Sequence, residues 1–75
     1  MNDRERLPMW VVYDHPRDYP DSFVARRWLT DQPTQAIIVD TTLDEVRRRI
    51  QRAMPGAVRL ARFLNDDPKI VEVWL

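Results

Sequence analysis

One stretch of this sequence reads as a helix, and nearly everything else reads as strand or turn. Thr42 stands three residues before Glu45, the spacing of a capping box, in which the threonine accepts the free amide and the glutamate reaches back. Leu43, Val46, Ile50, Ala53 and Met54 then recur at three- and four-residue steps and give one apolar stripe. Asp44 and Glu45 sit at the positive end of the dipole, and Asp44–Arg48 and Glu45–Arg49 have i,i+4 spacing. Pro55-Gly56 stops the helix. A single helix covers one face of a sheet and no more. The second face must then be polar, covered by a loop, or paired with another molecule.

The strand signals surround that helix. Residues 9–13, Met-Trp-Val-Val-Tyr, are β-branched and aromatic and too short for a helix. Residues 23–29 return as a second strand, expected to pair antiparallel with the first. The loop between them, residues 14–22, holds Pro16 and Pro20, which remove two backbone donors and exclude a ladder strand. Asp14 and Asp18 each precede one of these prolines by two positions, where Asx turns are expected. Residues 30–34 have turn composition, and residues 36–39, Ala-Ile-Ile-Val, read as a central strand covered on both sides. Residues 58–64 and 70–75 are strands again, joined by a turn at 65–69. The expected fold is α+β and two-layered, with one helix packed on a four- or five-stranded, mostly antiparallel sheet in β-β-β-α-β-β order. The strands flanking the helix would run parallel if they share that sheet. Residues 1–8 are expected as a flexible N-terminal tail and residues 9–75 as a single small domain, for which Met9 would serve as an alternative start.

Composition narrows the function classes. A 75-residue chain makes one domain with a modest core. It has no cysteine, which removes disulfides and thiolate metal sites. The opening Met-Asn-Asp-Arg-Glu-Arg-Leu-Pro lacks the apolar region of a signal peptide, and no apolar run is long enough for a transmembrane helix. A cytoplasmic protein is expected. Twelve basic residues balance 12 acidic ones, so no global field draws the chain to nucleic acid.

His15, with Asp14, Asp18 and Asp21, is the one grouping that resembles a catalytic or metal site, and Ser22 lies close by. A catalytic histidine needs an orienting partner and a supported nucleophile, and neighbours within one proline-fixed loop rarely meet in that geometry. A calcium loop needs a glycine at its sharp turn, and the chain's single glycine is Gly56. No Walker, Rossmann or His-Glu-x-x-His pattern occurs. The expectation is therefore no enzyme, no catalytic residue, no metal and no cofactor, with His15 pinning the loop.

The tryptophans and arginines remain. If Phe23 and Ala25 face the helix, Trp28 faces away; if Val71, Val73 and Leu75 face it, Trp74 faces away too. Trp28, Trp74 and Arg26 then form a candidate interaction surface for a protein partner or a second copy. Six arginines fall between Arg47 and Arg62 with no acid among them. Arg48, Arg49 and Arg52 form a candidate basic patch on the helix, the basis of an alternative reading as a nucleic-acid binder.

Trp10-Val-Val-Tyr-Asp-His-Pro-Arg-Asp-Tyr-Pro-Asp-Ser-Phe-Val-Ala-Arg26, together with Asp66-Asp-Pro-Lys-Ile-Val-Glu-Val-Trp-Leu75, resembles a family of short uncharacterised bacterial and phage-type proteins. The resemblance covers most of residues 9–75 and carries no activity, cofactor or site residue. It implies accessory or mobile-element origin, and by analogy of size a phage-type inhibitor of a host protein, as anti-CRISPR proteins are. The leading expectation is a non-enzymatic protein-interaction module that forms a homodimer through its sheet face or an exposed strand edge.

Overall fold

The computed structural model describes residues 7–61 and 67–75. They form β1 (Pro8–Asp14), β2 (Phe23–Leu29), β3 (Gln32–Asp40), α1 (Leu43–Ala53), β4 (Arg59–Ala61) and β5 (Ile70–Trp74). The strands make one five-stranded sheet in the order β3-β2-β1-β5-β4, every neighbouring pair antiparallel. The helix packs on one face, which gives the two-layer α+β fold read from the sequence. Four reversals separate β3 from β4, so these edge strands run in the same direction, and α1 carries the chain from one edge of the sheet to the other.

β1 takes the central position and is apolar on both sides. Trp10 and Val12 point into the helix-side core and Val11 is buried on the opposite face. The core joins Trp10, Val12, Ala25, Ile38 and Trp74 from the sheet to Val46 and Ile50 from the helix, with Phe23, Leu43, Met54, Ala57 and Val71 packed around them. Leu7 binds Thr30 through both backbone and side chain, and Pro8 already pairs with Leu29. The ordered sheet thus begins before Met9; the rest of the expected tail, residues 1–6, lies outside the described residues.

The helix begins as its sequence indicates, with the Thr42 Oγ1 accepting the Glu45 amide at 3.3 Å. The Glu45 carboxylate does not return to the cap; it accepts from Arg48 at 2.7 Å. The expected i,i+4 pairs are replaced by i,i+3 contacts, Glu45–Arg48 and a loose Asp44–Arg47 at 4.0 Å. Arg49 is drawn instead to the sheet edge, donating to the Val39 carbonyl at 3.2 Å beside Asp40. After the helix, the Ala57 amide bonds the Met54 carbonyl at 3.1 Å around Pro55-Gly56. Proline at the second position and Gly56 at φ 86° in the third are what a type II turn demands.

Three expectations fail at the sheet. Ala36-Ile-Ile-Val39 is part of an edge strand, not a central one, and β3 begins at Gln32, inside the expected turn. The turn shrinks to Thr30-Asp31, with Thr30 at φ 58°. Pro33 is tolerated because an edge strand leaves half its backbone groups unpaired. The irregular register between Arg26 and Trp28 is stitched by Thr34, whose hydroxyl donates to the Arg27 carbonyl at 2.9 Å and accepts the Ala36 amide at 3.1 Å. The parity of β5 is inverted as well. A bulge sets Val12 opposite Glu72 but Tyr13 opposite Ile70, so Val71 is an extra residue packed against the core. Glu72 and Trp74 face the helix, and Val73 and Leu75 face away. β4 covers Arg59–Ala61 of the expected strand 58–64; residues 62–64, and the expected turn up to residue 66, lie outside the described residues.

Candidate interaction face

The sheet face away from the helix is apolar across its whole width. Side chains directly opposite on antiparallel strands share a face, so the register reads out its rows. Pro33, Trp28 and Met9 form the first row, continued by Leu75 and Val58, whose backbones bond each other at 2.8 and 3.0 Å. Ile37, Arg26, Val11, Val73 and Leu60 form the second. Val39, Val24, Tyr13 and Ile70 form the third. Among the described residues on these rows, Arg26 is the only charge. It is tied to Asp18 of the loop that follows β1, so its charge is neutralised in place.

Exposure is concentrated at one corner. Val58, Leu60 and Leu75 are 61%, 38% and 50% exposed, while Val11 and Val24 are buried among their neighbours. An apolar trough of about 350 Å³ runs between Met9, Val11, Leu60, Ile70, Val73 and Leu75. Burial raises the Tyr13 phenol above its ordinary pKa; Arg26 opposes this and Asp67 adds to it. The Trp28 indole N–H is buried with no partner among the described residues. Trp28→Phe removes that unpaired donor and keeps the ring, so it is expected to leave the melting temperature unchanged or raise it slightly, read by thermal circular dichroism.

The candidate surface read from the sequence is therefore split. Trp28 and Arg26 lie on the open face. Trp74 does not: it is in the core under α1, and its Nε1 donates to Glu72 at 2.8 Å. The bulge at Val71 and the burial of Glu72 decide this. The patch that takes its place, Met9, Val58, Leu60, Val73 and Leu75 beside Trp28, was missed because both faces of β5 are apolar and parity alone could not orient the strand.

Sequence reasoning also missed the Glu72 cluster. Glu72 is 1% exposed and receives Arg47 through Nε at 3.2 and 3.0 Å and through a terminal nitrogen at 2.7 Å, with Arg59 at 3.6 Å. Burial works against the charge, but the hydrogen bonds from Arg47 and Trp74 and the charges of Arg47 and Arg59 outweigh it and hold the carboxyl below its usual range. The same contact pushes the Arg47 guanidinium further up. The signal was present: a lone glutamate inside Ile-Val-Glu-Val-Trp, and an arginine on the helix four residues after Leu43.

The loop of residues 15–22 is built from two successive turns, closed by Tyr19 on the Pro16 carbonyl at 2.9 Å and by Ser22 on the Tyr19 carbonyl at 3.2 Å. His15 has φ 49°, bonds the Asp14 carboxylate and sets its ring edge-on to Phe23 at 5.1 Å. Its carbonyl accepts Lys69 Nζ at 2.9 Å, and the Asp14 amide bonds the Lys69 carbonyl at 2.7 Å, so the loop base is fastened to the start of β5. Asp14 and Asp18 spend their carboxylates on His15 and Arg26 rather than on Asx turns. Among the described residues no three His, Asp, Glu or Cys side chains are grouped to hold a metal ion. Of the candidate basic patch, Arg48 is paired with Glu45 and Arg49 with the β3 edge, while Arg52 makes no ion pair with another described residue. No described helix is long and apolar enough to cross a membrane. Compared with known proteins, the chain matches no family model, no curated protein and no solved structure.

Proposed function

We propose that this protein is a non-enzymatic interaction module that pairs with a second copy through its helix-free sheet face. The observation that carries this is the apolar surface of that face, three of whose side chains, Val58, Leu60 and Leu75, are among the most exposed large hydrophobics. Large exposed apolar patches mark binding surfaces. A second copy suits it because the face carries one charge among its described residues, already neutralised by Asp18, so no like-charge repulsion arises across a two-fold axis. Its size fits a reversible dimer. The exposed part of the face is confined to the corner of Val58, Leu60 and Leu75, so the contact is at the small end of specific interfaces.

Self-association is therefore expected to depend on concentration in the micromolar range and above. Sedimentation velocity over a concentration series is expected to show a monomer–dimer equilibrium that Leu60→Glu abolishes and Trp28→Ala weakens, while both variants keep the far-ultraviolet spectrum of the parent. A monomer at millimolar concentration would overturn the reading. A dimer that survives Leu60→Glu would move the contact to the free edge of β3.

A further inference from the structure

The opposite face of the molecule holds a second feature. A depression of about 310 Å³ opens between the second half of α1 and the sheet, lined by Trp10 of β1, Ile38 of β3, and Arg49, Arg52 and Ala53. Arg27 stands directly opposite Trp10 in the β1–β2 register, so its side chain leaves the sheet beside the same indole. Arg49 and Arg52, three apart in sequence, share one side of the helix. Two guanidinium groups of the helix, those of Arg49 and Arg52, thus line the hollow, and Arg27 leaves the sheet in the row of its Trp10 floor. Asp40 lies 3.9 Å from Arg49, and neither Arg27 nor Arg52 forms an ion pair with another described residue. Arg49 is held over the rim by its bond to the Val39 carbonyl.

The floor limits what can bind. Trp10 and Ile38 are 5% and 7% exposed, so no ring face is offered on which a base could stack. The recognised group must be compact, anionic and rich in acceptors. The geometry points to a phosphate-binding site, in which Arg49 and Arg52 from the helix and Arg27 from the sheet grip one phosphate. Planar guanidinium forks match tetrahedral oxyanions and keep their charge at any physiological pH. The hollow lies toward the C-terminal, electronegative end of α1, so no helix amides assist and binding depends on the arginine side chains.

The test is a titration followed by nuclear magnetic resonance at constant ionic strength, with sodium phosphate replacing sodium chloride. Saturable shifts of the Trp10 indole and the Arg49 and Arg52 side-chain resonances are expected. Arg27→Gln and Arg52→Gln are each expected to weaken binding about tenfold. Arg48→Gln, on the same helix but paired with Glu45, is expected to leave it unchanged. Shifts that stay linear beyond about 10 mM phosphate, or an equal loss in Arg48→Gln, would overturn the site. A single-stranded oligothymidylate that binds about tenfold tighter than inorganic phosphate assigns the site to a backbone phosphate; equal or weaker binding assigns it to a free phosphate group. These outcomes do not depend on dimerisation, because the site and the proposed interface lie on opposite faces of the sheet.

Discussion

Arg47→Ala is expected to destabilise the fold by about 3 kcal/mol, lowering the melting temperature by roughly 12–24 °C in a domain of this size. The reason is the carboxylate it leaves behind. Glu72 is 1% exposed and takes three of its hydrogen bonds from Arg47. Without them it retains the Trp74 indole and a more distant Arg59, too little to offset the loss of water around a full charge. Glu72→Gln keeps the shape and the acceptor for Trp74, so it is expected to cost less than Arg47→Ala. The double variant Arg47→Met with Glu72→Leu is expected to recover most of the loss, since well-packed apolar pairs commonly replace buried ion pairs at little cost. A double-mutant cycle by thermal denaturation reads the coupling, and purely additive losses would refute it. The pH dependence follows the same contact. A carboxyl held below its ordinary value in the folded state contributes stability that is complete above the unfolded-state pKa of about 4.3. That stability drains away as pH falls through the lower, folded value. The acid limb of the melting-temperature curve is expected to flatten in Glu72→Gln.

The same cluster shows why part of this molecule was legible in its sequence and part was not. The helix could be placed residue by residue because Thr42, the apolar stripe and Pro55-Gly56 are local signals that tertiary structure had no reason to override. The number of layers followed from there being one helix to cover the sheet. Strand order was not legible, because residues 36–39 carry an apolar run that fits a central strand or an edge whose two faces are both covered by neighbouring side chains. The interaction face was half legible. Trp28 could be placed from Phe23 and Ala25, since β2 pairs with β1 in one unbroken register. Trp74 could not, because one inserted residue, Val71, breaks the two-residue period, and because a buried glutamate looks like a solvent-facing one until its arginine is found. The helix arginines were read as one patch. Their partners divide them: Arg47 goes inward, Arg48 back to Glu45 and Arg49 to the sheet edge, where it lines one hollow with Arg52 over Trp10.

That division between the two tryptophans sets up the second large effect. Trp74→Ala is expected to cost about 3–5 kcal/mol, comparable with the whole stability of a small domain, and to leave the chain largely unfolded at 37 °C. The indole fills the core against Trp10 on the neighbouring strand, and its N–H is one of the donors that keeps Glu72 charged. Trp74→Phe separates these two contributions. It retains most of the ring volume but removes the donor, so it is expected to fold and to lose about 1–2 kcal/mol. Part of that loss is expected to disappear in a Glu72→Leu background, where no carboxylate awaits the bond. Trp28→Ala lies on the other side of the same sheet, beside Met9 and Pro33, and is expected to lower the melting temperature far less than Trp74→Ala while weakening the dimer. Circular dichroism melts of the three variants, alongside their sedimentation profiles, distinguish the roles. Equal destabilisation by Trp28→Ala and Trp74→Ala, with no change in association, would assign both indoles to packing and deprive the open face of its aromatic contribution.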